Sequence, residues 1–189
     1  LDFLSGPHQT ADLLRCYGIP LAGGEGDRTE IALRTGGIEV IVRVAADATF
    51  GPLVMFGLGG ADPRTSEVFA DSSARLTPLT DTDADKLIRS VRSAPLLTGG
   101  DGRPAAGLGA LRDLLLRVSP LADDLPEVVG LDLAPVIAQP DRAVVADARI
   151  KLAPFQPRDP FLRADCADNP PHHDTPGAIW ALPATSPGI

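Results

Sequence analysis

Cysteine, basic charge and long apolar runs are all scarce in this chain of 189 residues. Its two cysteines, Cys16 and Cys166, stand far apart and without a paired spacing, so neither a disulfide framework nor a zinc site is indicated. The compartment this implies is the cytoplasm. Lysine and arginine number 17 against 25 acidic residues, a formal charge of -8, which leaves no basic face to neutralise a phosphate backbone. Nucleic acid is therefore not an expected partner. No apolar run approaches the roughly 20 residues that span a bilayer, and the amino terminus has no basic stretch followed by an apolar one, so no membrane partner is expected either. No internal repeat of fixed period is visible. The chain opens on Leu1 rather than Met, from which we expect a piece of something larger.

What is present is enough apolar residue, 44%, to build the core of one domain. The most informative stretch runs from Phe50 to Gly60. Leu53 to Phe56 is short, apolar and bounded by Pro52 and Gly57, which predicts a strand buried on both faces. The glycines that follow, Gly57, Gly59 and Gly60, have two explanations. Lacking a Cβ, they let the backbone approach a ligand closely; alternatively, they punctuate a tight turn in a core strand.

Around this stretch the pattern predicts a short helix over Thr10 to Tyr17, capped by Thr10 and ended by Gly18 and Pro20. Residues 21–36 are polar and glycine-rich and read as a linker. Ile38 to Val44 is β-branched and should pair antiparallel with Leu53 to Phe56 across the turn at Ala46 to Thr49. Thr80 to Ser93 places threonines and aspartates at the start of a helix and Ala84, Leu87, Ile88 and Val91 on one face. Leu108 to Leu121 repeats that amphipathic pattern through Leu108, Leu111, Leu115 and Val118, closing at Pro120 or soon after. Leu131 to Ala138 and Ala143 to Ile150 read as a hairpin across Gln139-Pro140-Asp141-Arg142. From residue 153 the composition turns to proline with few periodic apolar residues, and a disordered or surface-draped tail is expected. The fold class this implies is α+β, a mixed or antiparallel sheet packed by two amphipathic helices.

The late hairpin carries two carboxylates. With the turn centred between Pro140 and Asp141, Asp132 faces Arg149, and Asp147 lies two positions along on the same face. Such a pair suits a hard cation, since Mg²⁺ takes one or two carboxylates and completes its shell with water and phosphate oxygens. The alternative is a wet strand face on which Arg149 neutralises both.

Several stretches in order carry a resemblance: Gly37-Ile38-Glu39-Val40-Ile41-Val42, Phe50 to Gly60, Leu79-Thr80-Asp81-Thr82-Asp83-Ala84, Ala94-Pro95-Leu96-Leu97 and Leu131-Asp132-Leu133-Ala134-Pro135-Val136. Together they resemble the carboxyl-terminal subdomain of the ATP-grasp domain of NDP-forming acyl-CoA synthetases, the acetate-CoA ligase (ADP-forming) type often fused to an acetyltransferase in actinobacteria. Leu4 to Pro20, with Tyr17-Gly18-Ile19-Pro20, resembles the helix that opens that domain. The resemblance implies a fold in which ATP lies between two α+β subdomains, with ATP and Mg²⁺ as cofactors and acyl-CoA formed from acid, CoA and ATP through phosphorylated intermediates. It implies Mg²⁺ ligands at Asp132 and Asp147 and a nucleotide side at Glu39, Gly57, Gly59 and Gly60. Residues 1–20 would be the opening helix, 21–36 a linker replacing most of the amino-terminal subdomain, 37–152 the carboxyl-terminal subdomain and 153–189 the tail.

Departures from the family pattern are as specific as the matches. Residues 21–36 hold no lysine and no histidine, where the family has a nucleotide-binding lysine and a His-Lys loop. Ala134 stands where the family has asparagine and Gly130 where it has an acidic residue, and alanine cannot coordinate a metal. The expectation is thus a partial module that needs a partner to supply the missing subdomain and a CoA-binding domain. The alternative is a degenerate interaction module attached to an acetyltransferase or CoA-binding partner, or a truncated frame without function. Elsewhere, His8 reads as a solvated loop residue, and His172-His173-Asp174 lacks a rigid scaffold for a metal. Glu67 and Arg75 are surface charges or phosphate-side residues, and Trp180 lies in the tail.

Overall fold

The computed structural model describes residues 3–4, 6–22, 37–47, 49–59, 71–99 and 105–154. Gly60, Glu67, Cys166, His172, His173, Asp174, Trp180, residues 23–36 of the expected linker and the expected tail beyond Pro154 lie outside that set. In chain order the elements are β1 (Phe3–Leu4), α1 (Pro7–Cys16), β2 (Ile38–Asp47), β3 (Gly51–Leu58), β4 (Ser72–Leu76), α2 (Asp81–Arg89), α3 (Ala94–Leu97), α4 (Leu108–Asp124), β5 (Val128–Ala138), β6 (Ala143–Val145) and β7 (Ala148–Leu152). The strands form one sheet in the order β1-β7-β5-β2-β3-β4, with β6 added to β5, and each pairing is antiparallel. The architecture is the α+β arrangement that the sequence pattern implies.

The centre of the sheet is set by the β2–β3 hairpin, in which Val42 faces Phe56 and Val44 faces Val54. Its turn is built locally: the Asp47 carboxylate accepts the N–H groups of Thr49 and Phe50, each at 2.8 Å, and Gly51 takes φ 98°, which a side chain would strain. Period-two alternation then sorts the side chains. Val40, Val42, Val44, Val54, Phe56, Leu131, Leu133 and Val136 are buried together with Leu14, Leu87, Leu111, Leu115 and Val118 of the helices. Leu53 and Met55 remain half-buried on the opposite face, so the strand expected to be buried on both sides is buried on one. An apolar run reports that residues tolerate burial, not that a layer exists to cover them.

Helix α2 begins as its sequence suggests. Thr80 Oγ1 accepts the Asp83 N–H and the Asp83 carboxylate accepts the Thr80 N–H, both at 3.2 Å, a reciprocal cap. The Thr80 hydroxyl, which donates to the Asp83 carboxylate at 2.5 Å, and then the Thr80 N–H hold the Asp83 carboxyl below its ordinary range. Helix α4 is tied to the same corner by Ser119, whose buried Oγ accepts the Leu79 N–H at 2.8 Å. Two boundaries differ from expectation. Thr10 does not cap α1 but is buried within it, because Pro7 at the first turn, after Gly6, starts the helix earlier. Helix α4 continues past Pro120 to Asp124, since Leu121 and Ala122 are fully buried and their packing offsets the lost backbone bond. No described helix is long and apolar enough to cross a membrane.

Candidate functional site

On the face away from the core, a polar row crosses three strands. The register sets Arg43 of β2 opposite Asp132 of β5, and Asp132 opposite Arg149 of β7. Each of the three alternates with a core residue, Val42 and Val44 beside Arg43, Leu131 and Leu133 beside Asp132, Ile150 beside Arg149, so all three project to the open side. Arg43 grips Asp132 as a fork: Nε donates to Oδ1 at 2.8 Å and a terminal nitrogen to Oδ2 at 3.0 Å. The pair is partly shielded, with the side chains 21% and 34% exposed. A shallow depression runs beside it, lined by Arg43, Gly130, Asp132, Arg149 and Lys151.

Asp147 lies where the hairpin changes strands. The chain pairs as β6, breaks at residues 146–147 and resumes as β7, and across that break the Ala134 N–H donates to the Asp147 carbonyl at 3.1 Å. Opposite it, β5 bulges where Pro135, having no N–H to give, interrupts its ladder with β2. The Asp147 side chain accepts the Ala148 N–H at 2.9 Å and lies 3.9 Å from the Arg149 guanidinium. The expected facing of Asp132 and Arg149 is thus the observed register. Ala134 stands directly across from Asp147, so the side chain that would be its neighbour has no oxygen.

The glycine stretch is positioned by β2 and β4. Gly59 donates its N–H to the Glu39 carbonyl at 2.8 Å, and a Cβ on Gly59 would lie 3.1 Å from the Glu39 Cβ and 3.3 Å from its backbone. A Cβ on Gly57 would lie 3.2 Å from the Asp71 carbonyl oxygen. At both places a Cβ would press on neighbouring protein atoms by a few tenths of an ångström, and neither glycine has positive φ. Glu39 itself is exposed and in phase with Arg43, on a face where Ile41 between them and Ile137 opposite Glu39 are buried. Glu39 and Arg43 of β2 and Asp132 of β5 come from adjacent strands, and Asp147 lies at the β6–β7 break beside β5.

Arg43 is the residue that sequence reasoning missed. Its signal was the alternation of β2, which puts Arg43 in phase with Glu39, but its partner follows only from the β2–β5 register. Arg75 pairs directly opposite buried Val54, which places it on the helix side of the sheet rather than on the face of Arg43. His8 is exposed on α1. Among the described residues no group of three or more His, Cys, Asp or Glu side chains is placed to hold a metal ion.

An antiparallel sheet with helices packed on one side is an arrangement shared with a defined class. Residues 27–152 match the model of the ATP-grasp domain family, and the chain belongs to that family. Its relatives narrow the class. It is 41% identical over 116 residues to the β subunit of acetate–CoA ligase (ADP-forming) I of Pyrococcus furiosus, a match covering 61% of this chain and 49% of that one. It is 42% identical over 136 residues to acetate–CoA ligase (ADP-forming) II of Archaeoglobus fulgidus, covering 72% of this chain and 19% of the other. Among solved structures, it superposes with a TM-score of 0.68 and 27% identity on the dinucleotide-forming acetyl-coenzyme A synthetase 1 of Ca. Korarchaeum cryptofilum, covering 79% of this chain and 93% of that one. That protein was solved with coenzyme A and Mg-AMPPCP, its phosphohistidine segment pointing towards the nucleotide binding site. The chain spans about half the length of the curated β subunits it matches.

Proposed function

We propose that this chain is the partial ATP-grasp module of an ADP-forming acyl-CoA synthetase, which converts acid, CoA and ATP to acyl-CoA, ADP and phosphate. On this reading the open sheet face is its nucleotide side, and a partner domain supplies the rest of the subdomain and the CoA-binding part. The observation that carries the reading is that Glu39, marked by resemblance, and Asp132 and Asp147, marked by hairpin spacing and by resemblance, lie on β2, on β5 and at the β6–β7 break of one sheet that also carries Arg43, Arg149 and Lys151. By the resemblance, Glu39, Gly57, Gly59 and Gly60 are assigned to the nucleotide and Asp132 and Asp147 to the acidic side. Mg²⁺ ordinarily takes one or two carboxylates and leaves the remaining positions to water and phosphate oxygens; this donor set fits that sparse mode and not a protein cage. Bound there with nucleotide, Mg²⁺ supplies neutralisation of phosphate charge. Arg43, Arg149 and Lys151 balance the charges of Glu39, Asp132 and Asp147, so this face is less acidic than the chain as a whole, whose net charge is -8.

Calorimetric titration with Mg-ATP tests the reading. Heat and a thermal shift at millimolar nucleotide are expected, and the absence of both would sink it. A second reading, a degenerate module that packs against an acetyltransferase or CoA-binding partner without catalysing, is favoured by Ala134 across from Asp147 and by Gly130. On that reading Ala134→Asn leaves nucleotide binding unchanged and co-purification recovers the partner; a lone chain active on acetate, CoA and ATP excludes it.

A further inference from the structure

We infer that the cleft where the end of α2, the short helix α3 and the start of α4 meet is a binding site for a small amphiphilic anion, a phosphate or carboxylate on a short apolar stem. It shares no residue with the open sheet face and stands whether or not nucleotide binds there. The cleft encloses about 480 Å³, a size typical of small-molecule sites. Ile88, Val91, Ala94, Pro95 and Leu108 form its apolar walls, and Arg89 and Arg92 its charged ones.

The sequence builds this site locally. The apolar stripe of α2 buries Ile88 and continues past the helix end to Val91, 2% and 3% exposed. Arg89 and Arg92 each follow one of them and are exposed. The turn that carries Arg92 is pinned, because the Asp71 carboxylate accepts the N–H of Arg92 at 2.5 Å, the N–H of Ser93 at 2.8 Å and the Ser93 hydroxyl. Two arginines three positions apart are therefore held beside an apolar floor.

Both guanidinium groups are available to a ligand. The ion pairs of the described residues engage Arg15, Arg43, Arg112 and Arg149, not Arg89 or Arg92. Asp85, one turn before Arg89, goes to Arg112 of α4 at 3.8 Å, and Asp71 is taken up by the turn. Among the described residues no acid lines the cleft, and the Thr98 hydroxyl there already donates to the Pro95 carbonyl at 2.8 Å. In a chain of net charge -8, two arginines without a counter-ion mark a place for an oxyanion, whose paired oxygens match the guanidinium fork. The walls supply the rest of the specificity. A bare inorganic anion leaves them in water, and a neutral hydrocarbon leaves two like charges uncompensated.

Calorimetric titration of the full chain with hexyl phosphate and with hexanoate, without nucleotide or metal, tests this. Binding of at least one is expected, with NMR amide shifts gathered at residues 88–98 and at Leu108, and the tighter of the two identifies the head group. Hexyl phosphate should bind about tenfold or more tightly than ethyl phosphate, since its added methylenes lie on the apolar walls; hexanol and inorganic phosphate should bind far more weakly. Arg89→Gln with Arg92→Gln should weaken the tighter ligand by about tenfold or more, the loss of a charge-assisted contact, whereas Arg15→Gln should leave it unchanged. Both side chains are exposed, so an unaltered Tm is expected in the double variant. No binding of either ligand, equal binding of ethyl and hexyl phosphate, full affinity in the double variant, or shifts at Arg43 and Asp132 instead would overturn the inference. So would a glutamate-rich peptide that binds through Arg89 and Arg92 where both small ligands fail. Failure of the Mg-ATP titration removes the nucleotide reading and leaves these results to decide the cleft.

Discussion

The two faces of the sheet are made from the same strands and obey different rules. On the helix side, burial alone selects the residues: Val42, Val54, Phe56, Leu133 and Val136 are inside with no exposed surface, and alternation identifies them outside the runs at residues 40–42 and 136–138, which are buried throughout. On the open side, Arg43, Asp132 and Arg149 acquire meaning only through which strand lies next to which. The difference teaches that a hydrophobic face is a property of single segments, whereas a charged row is a property of register.

Breaking the helix side should have the largest effect. Phe56→Ala empties a fully buried ring site and is expected to cost about 3–5 kcal/mol in denaturant unfolding, whereas Met55→Ala, one residue away on the half-buried open side, should cost far less. Equal losses would mean that the open face is covered. Next comes Ser119→Ala, which orphans the buried Leu79 N–H and should cost about 1–3 kcal/mol, measured the same way. Smaller still is Thr80→Ala, about 1 kcal/mol for a lost helix cap.

That last variant also sharpens an acid dependence. Because Thr80 holds the folded-state Asp83 carboxyl below its ordinary range, the contribution is present above the ordinary carboxylate range and is lost as pH falls through the folded-state value. Thr80→Ala should therefore flatten the acid limb of a Tm-versus-pH curve. An unchanged limb would show that the cap and the carboxyl are not linked.

How much was legible follows from the same contrast. Helix α2, with its Thr80 cap and Ala84, Leu87 and Ile88 inside, was readable throughout, because cap and period are both local. The β2–β3 hairpin and the facing of Asp132 and Arg149 were readable because short turns fix register. Thr10 misled because a capping residue type is also a tolerable buried one, and Pro120 because its penalty is smaller than what Leu121 and Ala122 gain by burial. Arg43 was invisible as a partner because β2 and β5 are joined through five intervening elements, and nothing local sets their pairing. The glycines at 57 and 59 were legible as close approaches, but what approaches at each includes neighbouring backbone, Asp71 in one case and Glu39 in the other.

The central claim is that nucleotide meets the open face. The most direct measurement is an NMR map of the full chain on addition of Mg-ATP, following backbone amides and arginine side chains. Shifts gathered at Glu39, Arg43, Gly57, Gly59, Asp147 and Arg149, and largely lost in Asp147→Asn, are the predicted result. Shifts confined to the helix side, around Arg89 and Arg92, with Arg43 and Asp147 unmoved, would contradict it.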